Sequence, residues 1–147
     1  MKVLVKEKIG DSGVQLLRDA GFDVELGTDW DDGELERRIG EFDAILIRSA
    51  TQLTAELLER ADRLKAIGRA GVGVDNVDVE AATKRGVVVA NAPQSNVITA
   101  AELVEHHLQA GQRGEDVEGA EVAAVGDPED PPLQLLLAAV GGDAEAA

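Results

Sequence analysis

The sequence predicts an α/β fold in which about five parallel strands form one doubly wound sheet. Short apolar runs alternate with stretches of helical period over roughly the first hundred residues, which is the pattern of repeated β-α-β units. The runs at 44–47 and 87–90 contain no polar residue, as expected of strands that are covered on both faces.

Each predicted element has a local signal. Ser12, Thr54 and Asp78 are placed to cap the first, third and fourth helices, because their side-chain oxygens can accept from the free N–H groups of a first turn. Gly40 and Gly86 are placed to close the second and fourth helices. The strands are expected at 3–5, 22–26, 44–47, 64–67 and 87–90.

A glycine-rich stretch at 68–78 reads Gly-Arg-Ala-Gly-Val-Gly-Val-Asp-Asn-Val-Asp and follows the fourth predicted strand. This position is the carboxyl edge of the sheet, where α/β proteins bind ligands. The stretch is not a dinucleotide fingerprint, because Asn76 stands where the third glycine is required. Asp75 and Asp78 would also face a pyrophosphate. We therefore expect no nucleotide at this loop.

Two arginines are the candidate anion ligands. Arg48 and Arg69 each come at the end of a predicted strand, and a guanidinium offers a planar fork of donors that matches carboxylate or phosphate. On adjacent strands, their two charges would converge on one anion. In the alternative interpretation, each arginine pairs with a local carboxylate such as Asp75 or Asp78. Ser49 either donates to the same anion or satisfies the strand end.

The remaining composition excludes several kinds of site. The chain has no cysteine, and its two histidines, His106 and His107, are adjacent. Adjacent side chains on a helix diverge, so we expect no metal site and assign no catalytic residue. The chain carries 29 acidic and 14 basic residues, a net charge of −15. Such a charge argues against nucleic acid and anionic membranes as partners. No apolar run approaches the ~18 residues of a membrane span, and a soluble, cytoplasmic protein is expected.

The character of the chain changes after about residue 105. A capping box at Thr99 and Glu102 predicts a helix that begins near Ala100. Residues 106–147 carry nine acidic residues and one basic residue, with three prolines. We expect 1–105 to be a domain and 106–147 to be a helix remnant followed by a low-complexity, irregular acidic tail. Within it, 111–132 is expected to be disordered or loosely attached, and the apolar run at 133–140 to form a docking helix.

Five short motifs occur in order between residues 47 and 102. They are Ile-Arg-Ser-Ala-Thr at 47–51, the glycine stretch at 68–78, Glu-Ala-Ala-Thr at 80–83, Val-Val-Ala-Asn-Ala-Pro at 88–93 and Ala-Ala-Glu at 100–102. Together they resemble the substrate-binding domain of the D-isomer-specific 2-hydroxyacid dehydrogenases. The resemblance implies a flavodoxin-like fold over 1–105 and is expected to stop there, ahead of the family's NAD-binding domain.

The resemblance also implies a site and a ligand. It places the substrate anion on Arg48, Ser49 and Arg69 and on the backbone N–H groups of Gly71 and Val72. The implied substrate is a small anionic D-2-hydroxyacid, with 3-phosphoglycerate of serine biosynthesis preferred. The implied cofactor of the complete enzyme is NAD, and none is expected to bind this chain alone. The family's catalytic histidine, glutamate and arginine lie in or after the nucleotide domain, and none is matched here.

Three functions remain open from the sequence. The chain is the substrate-binding part of a truncated oxidoreductase, inactive in isolation, and the abrupt change near residue 105 favours this. Alternatively, it is a stand-alone binding module for a small phosphorylated or carboxylic acid. In the third interpretation it is a subunit that is completed by a partner carrying the cofactor domain. Self-association into a homo-oligomer is compatible with each.

Overall fold

The structure is a computed structural model that describes residues 1–71 and 73–92, together with residues 104, 105, 108, 109, 123 and 124. Its strands are β1 (Lys2–Val5), β2 (Asp23–Leu26), β3 (Ala44–Ile47), β4 (Ala66–Ala70), β5 (Val88–Ala92) and β6 (Ala123–Ala124). Its helices are α1 (Asp11–Asp19), α2 (Asp32–Arg38), α3 (Ala55–Glu59) and α4 (Val79–Lys84), and a 3-10 turn at Ile39–Glu41 follows α2.

The strands form one parallel sheet in the order β2-β1-β3-β4-β5-β6. The predicted α/β, doubly wound parallel sheet is therefore confirmed. The chain passes from β1 outward to β2 and then returns to place β3 on the other side of β1. The strand order thus reverses between β1 and β3, and a crevice opens at the carboxyl ends of strands at such a reversal.

Two apolar layers cover the sheet. Ile45 and Ile47 of β3 lie in one layer, and Ala44 and Leu46 lie in the other, because successive side chains of a strand point to opposite faces. The first layer is filled mainly from the segments of α2, α3 and α4, and the second from α1 and two residues of the later chain. The largest fully buried side chains in these layers include Leu4, Leu17, Ile39, Phe42, Leu58, Ile67 and Leu108.

The helix caps are confirmed at two of the three predicted positions. Thr54 accepts from the Leu57 backbone N–H at 3.2 Å, and Asp78 accepts from the Ala81 N–H at 2.9 Å. The Ser12 prediction is wrong, because α1 begins at Asp11 and Ser12 lies within its first turn. The extended backbone of Gly10 supplies the cap position without a side-chain bond.

The two helix-closing glycines behave differently. Gly86 follows α4 with a φ of 72°, a conformation that favours glycine, and this prediction is confirmed. The prediction for Gly40 is wrong, since this residue lies inside the 3-10 turn. A β-carbon at position 40 would sit 2.9 Å from the Arg60 carbonyl oxygen. Glycine is therefore required there by the close approach of two chain segments.

The fourth strand lies later than predicted. It runs from Ala66 to Ala70 rather than over 64–67, so Gly68 and Arg69 are strand residues and not the start of a loop. β4 lies between β3 and β5 and is hydrogen-bonded on both sides. Those two ladders hold a glycine in extended backbone although glycine alone favours a turn.

The later part of the chain is described at a few positions. Val104, Glu105, Leu108 and Gln109 are helical, and the Gln109 amide donates to the Glu105 carboxylate at 3.0 Å. This agrees with the predicted helix, whose start lies outside the described residues. β6 lies within 111–132 and pairs with β5, so the expectation of disorder there is wrong for these two residues. His106, His107 and the run at 133–140 lie outside the described residues.

Candidate functional site

The candidate site is the carboxyl edge of the sheet around the reversal between β1 and β3. Three loops meet there: residues 6–10 after β1, residues 48–54 after β3 and residues 71–78 after β4. The first of the predicted anion ligands, Arg48 and Ser49, directly follow β3. The fold therefore places them at the position where parallel α/β sheets bind their ligands.

The carboxylate of Glu7 joins the loop after β1 to the loop after β3. It accepts from the backbone N–H groups of Arg48 at 2.5 Å, Ala50 at 3.0 Å and Thr51 at 3.2 Å. Hydrogen bonds to an ionised carboxylate are roughly twice as strong as neutral ones. The backbone of this loop is therefore folded around the carboxylate of Glu7, which is partly exposed.

Asn76 holds the same loop by bonding to the backbone carbonyl groups of the loop. Its side-chain amide donates to the Arg48 oxygen at 2.7 Å and to the Thr51 oxygen at 2.6 Å, and the residue is buried. Beside it, Leu53 pairs with the loop after β4: its N–H donates to the Asn76 oxygen at 2.8 Å, and its oxygen accepts from the Asp78 N–H at 2.9 Å. The loops after β3 and β4 thus form one hydrogen-bonded unit.

These bonds leave the side chains of Arg48 and Ser49 exposed. Within the described residues, the Arg48 guanidinium makes no ion pair. Asp78, one of the carboxylates that the alternative interpretation assigned to an arginine, instead caps α4. Arg48 therefore presents a positive charge to solvent from a backbone that is held in place.

Arg69 lies in a different environment. It is a residue of β4, opposite Ile47 in β3, and is 7% exposed. The prediction that it ends its strand is therefore wrong by one residue. Its guanidinium donates to the Gly73 carbonyl oxygen at 2.6 Å, so it supports the glycine loop from the buried side. The two arginines do lie on adjacent strands, and their joint binding of an anion stays a prediction.

The glycine loop needs its glycines for conformation. Gly71 has a φ of 154° and Gly73 a φ of 76°, and L side chains are rarely found there. Asn91 of β5 donates to the Gly71 carbonyl oxygen at 3.4 Å. Val72 lies outside the described residues. The proposal that Gly71 and Val72 offer backbone N–H groups to a ligand therefore stays a prediction.

The glycine loop does not fit the pyrophosphate of NAD. A dinucleotide places its pyrophosphate on free N–H groups at a helix N-terminus. At the glycine loop that end belongs to α4, where the Asp78 carboxylate already accepts from the Ala81 N–H. Asp75 is exposed three residues before Asp78. A pyrophosphate there would meet two carboxylates, and we derive no step through this cofactor.

The ionisable side chains whose pKa is shifted lie away from this edge of the sheet. Lys2 begins β1, and Arg38 ends α2 with its guanidinium 4.4 Å from the centre of the Trp30 ring. Hydrogen bonds from Arg38 and then from Lys2 lower the pKa of Glu41 to about 2, and Arg38 also lowers the pKa of Glu25. These ion pairs join the first two strands to α2, and we assign them to stability.

No metal site or membrane span is apparent in the part of the chain that the structure describes. Its carboxylate side chains form no group of three that could hold an ion, and the described residues include no histidine. None of the described helices is long and apolar enough to cross a bilayer.

Sequence reasoning missed Glu7 and Asn76, the two residues that build the loop. Asn76 was noted only because it replaces a glycine, and Glu7 received no role. The available signal was weak. A carboxylate follows the first strand and an amide follows the glycines, and side chains of this kind commonly bond to loop backbone.

The fold and this edge define an α/β domain with a basic loop at the strand reversal. The chain belongs to the D-isomer specific 2-hydroxyacid dehydrogenases, whose catalytic-domain model matches residues 3–144. The match continues past residue 105, so the family resemblance does not stop there as expected. The division into a domain at 1–105 and a tail at 106–147 stays a prediction.

Two similar proteins show how much of this chain and of each relative the similarity covers. The D-3-phosphoglycerate dehydrogenase of Archaeoglobus fulgidus is 49% identical over 102 residues, which are 69% of this chain and 19% of that protein. The solved TT0316 protein of Thermus thermophilus is 32% identical, with a TM-score of 0.59 over 78% of this chain and 38% of its own. The chain spans about a fifth of the length of the curated relatives it matches.

A more distant structure extends the likeness of fold. The NAD+-bound 3-phosphoglycerate dehydrogenase of Entamoeba histolytica has a TM-score of 0.52 over 89% of this chain and 54% of its own, at 17% identity. At this identity the likeness concerns the fold alone.

Proposed function

We propose that this chain is the substrate-binding part of an NAD-dependent oxidoreductase that acts on a D-2-hydroxyacid, with 3-phosphoglycerate as the substrate. Family membership supports the reaction class. The name D-3-phosphoglycerate dehydrogenase, borne by relatives from archaea, bacteria and a plant, supports the substrate. The single observation that carries the proposal is the basic loop at the strand reversal, which exposes Arg48 on a hydrogen-bonded backbone.

The chemistry of the loop suits this ligand. 3-Phosphoglycerate carries a carboxylate and a phosphate, and a chain of net charge −15 repels both unless local cations offset that field. Arg48 supplies an exposed cation with the donor geometry that these groups require. Ser49 adds a hydroxyl donor beside it. The glycine loop next to Arg69 forms the other side of the site.

Hydride transfer needs a further component. In this family NAD accepts the hydride, and the nicotinamide must be held against the substrate carbon. The start of α4 at the glycine loop is capped by Asp78, and the sequence contains no Gly-x-Gly-x-x-Gly. We therefore propose that the chain binds the hydroxyacid and that catalysis requires a cofactor-binding unit in addition.

One observation favours a second candidate, a stand-alone module for small phosphorylated or carboxylic acids. Glu7 and Asn76 hold the Arg48 loop with bonds that lie entirely within the described residues. A loop that is organised in this way does not need a cofactor domain to be ready for its ligand.

Calorimetric titration of the purified chain with 3-phosphoglycerate, and separately with NADH, tests the proposal. We expect the acid to bind and NADH not to bind. D-Glycerate is the matched ligand, since it lacks only the phosphate. A lost charge-assisted contact costs about 1.5–3 kcal/mol, so D-glycerate should bind about ten- to a hundred-fold more weakly.

Two results would contradict these statements. Failure of the folded chain to bind 3-phosphoglycerate would remove the substrate proposal, and NADH binding would remove the assignment of the cofactor site to another unit. The module is distinguished by turnover. A cofactor-binding unit from a family enzyme is added to the chain. If the mixture then produces NADH from NAD+ and 3-phosphoglycerate, the proposal of an oxidoreductase is supported. Tight binding with no turnover supports the module.

A further inference from the structure

Glu7 is the one acidic side chain of the described residues that the structure places on the backbone of the Arg48 loop. It is 41 to 44 positions away from its three donors in the sequence. It belongs to the loop after β1, whereas its donors follow β3, so its contact spans the strand reversal. It is not among the residues that we propose to contact the substrate.

The loop is held from two sides by two side chains. Glu7 accepts from three of its N–H groups, and Asn76 donates to the carbonyl oxygens of Arg48 and Thr51, the first and last residues of the segment 48–51. Both ends of a four-residue segment are therefore bound through their peptide groups. The side chains of Arg48 and Ser49 are the groups left to point outward.

We propose that Glu7 is a positioning residue that sets the ligand affinity of this site by holding the backbone of residues 48–51. The proposal rests on the proposed function, because it concerns binding of the same anion. Glu7 acts through Arg48 and touches no ligand itself. Its carboxylate oxygens face three backbone N–H donors of this segment.

The direction in which Glu7→Gln changes ligand affinity distinguishes this positioning role from a purely electrostatic one. If Glu7 acted only as a nearby negative charge, Glu7→Gln would strengthen the binding of an anion, since a repulsive charge is removed. If it holds the loop, the same change weakens binding, because a glutamine NH2 group faces N–H donors and the loop must be ordered when the ligand arrives. Ordering one or two residues corresponds to about a ten-fold loss of affinity or more.

Asp43 provides the matched control at the opposite end of β3. It is a carboxylate that is more deeply buried than Glu7, and it accepts from the Lys2 backbone N–H at 2.7 Å and from the Arg63 guanidinium at 3.1 Å. Asp43→Asn therefore perturbs a carboxylate that also accepts from a backbone N–H, directly before β3 and away from the carboxyl edge. It is expected to lower stability and to leave ligand affinity unchanged.

The experiment uses the full 147-residue chain and two measurements. Titration calorimetry with 3-phosphoglycerate, well below the melting temperatures, gives affinity for the wild type, Glu7→Gln, Asn76→Ala and Asp43→Asn. Amide hydrogen exchange reports the N–H groups of Ala50 and Thr51. We expect both site variants to bind about ten-fold more weakly or worse, with faster exchange at Ala50 and Thr51 in Glu7→Gln, and Asp43→Asn to match the wild type in both.

The outcomes are separable. If the wild type binds and Glu7→Gln binds equally well or more tightly, the positioning role is refuted while the proposed function stands. If Asp43→Asn weakens binding to the same extent, the effect is general destabilisation and the role is again refuted. If the wild type does not bind, the proposed function fails and this role fails with it. Should Glu7→Gln not fold, Glu7→Asp decides by the same comparison, because it keeps the negative charge and shortens the reach of the carboxylate to the three N–H groups.

Discussion

Replacing Arg69 by alanine should cost both stability and ligand affinity, whereas replacing Arg48 should cost affinity alone. Arg69 is buried, and its guanidinium donates to the Gly73 carbonyl oxygen at 2.6 Å. A hydrogen bond from a charged donor contributes about 1.5–3 kcal/mol. This bond alone is a large fraction of the roughly 5–15 kcal/mol that stabilises an ordinary domain. Arg48→Ala keeps the backbone groups that Glu7 and Asn76 bind, so its free energy of unfolding should change by no more than about 0.5 kcal/mol.

Urea unfolding and calorimetric titration with 3-phosphoglycerate measure the two quantities separately. We expect Arg69→Ala to lower the unfolding free energy by at least about 1.5 kcal/mol and both variants to weaken binding by about ten- to a hundred-fold. Arg69→Lys keeps the charge but not the planar fork, so it should recover only part of either loss. Unchanged stability in Arg69→Ala would refute the argument that this arginine supports the glycine loop. Unchanged affinity in Arg48→Ala would remove it from the site.

Two further predictions concern the scaffold. Gly40→Ala places a β-carbon 2.9 Å from the Arg60 carbonyl oxygen, and the overpacking should lower the urea midpoint by the equivalent of about 1–3 kcal/mol; an unchanged midpoint would show that the segments can separate freely. Hydrogen bonding to Arg38 lowers the pKa of Glu41 to about 2. Since its folded-state pKa is depressed, the stability that Glu41 contributes is present above its ordinary pKa of 4.5 and is lost as pH falls through about 2. Glu41→Gln should therefore reduce the difference in urea midpoint between about pH 5 and about pH 2, and an identical difference in both proteins would contradict the assignment.

The alternation of strands and helices was predictable because each of them has a local sequence pattern. Apolar runs such as 44–47 became strands, and Thr54 and Asp78 became caps, since a cap needs only one side chain and the N–H group three residues later. The displaced fourth strand has a different cause. Gly68 favours a turn by local preference, and two neighbouring strands override that preference.

The position of the candidate site could be predicted from the sequence, whereas the environment of its side chains could not. Two arginines near the ends of strands, with a glycine loop, indicate the ligand-binding edge of a parallel sheet from order along the chain alone. The environment of each arginine depends on register. Arg69 lies one residue inside β4 and is buried, while Arg48 lies one residue beyond β3 and is exposed. A small difference of position along a strand decides which arginine supports the loop and which one faces solvent.

The support of the loop could not be read from the sequence for a related reason. Glu7 and Asn76 act on residues that are 25 to 44 positions away, and only the strand order β1-β3-β4 brings the three loops together. Neither residue belongs to a hydrophobic period or a local cap. Their bonds go to backbone groups, so they have the same partners whatever side chains the loop carries. The exposed side chains at positions 48 and 49 can therefore change while Glu7 and Asn76 keep their bonds to the backbone. Substitutions at Arg48 and Ser49 should accordingly alter which acid binds, and substitutions at Glu7 and Asn76 should alter how tightly any acid binds.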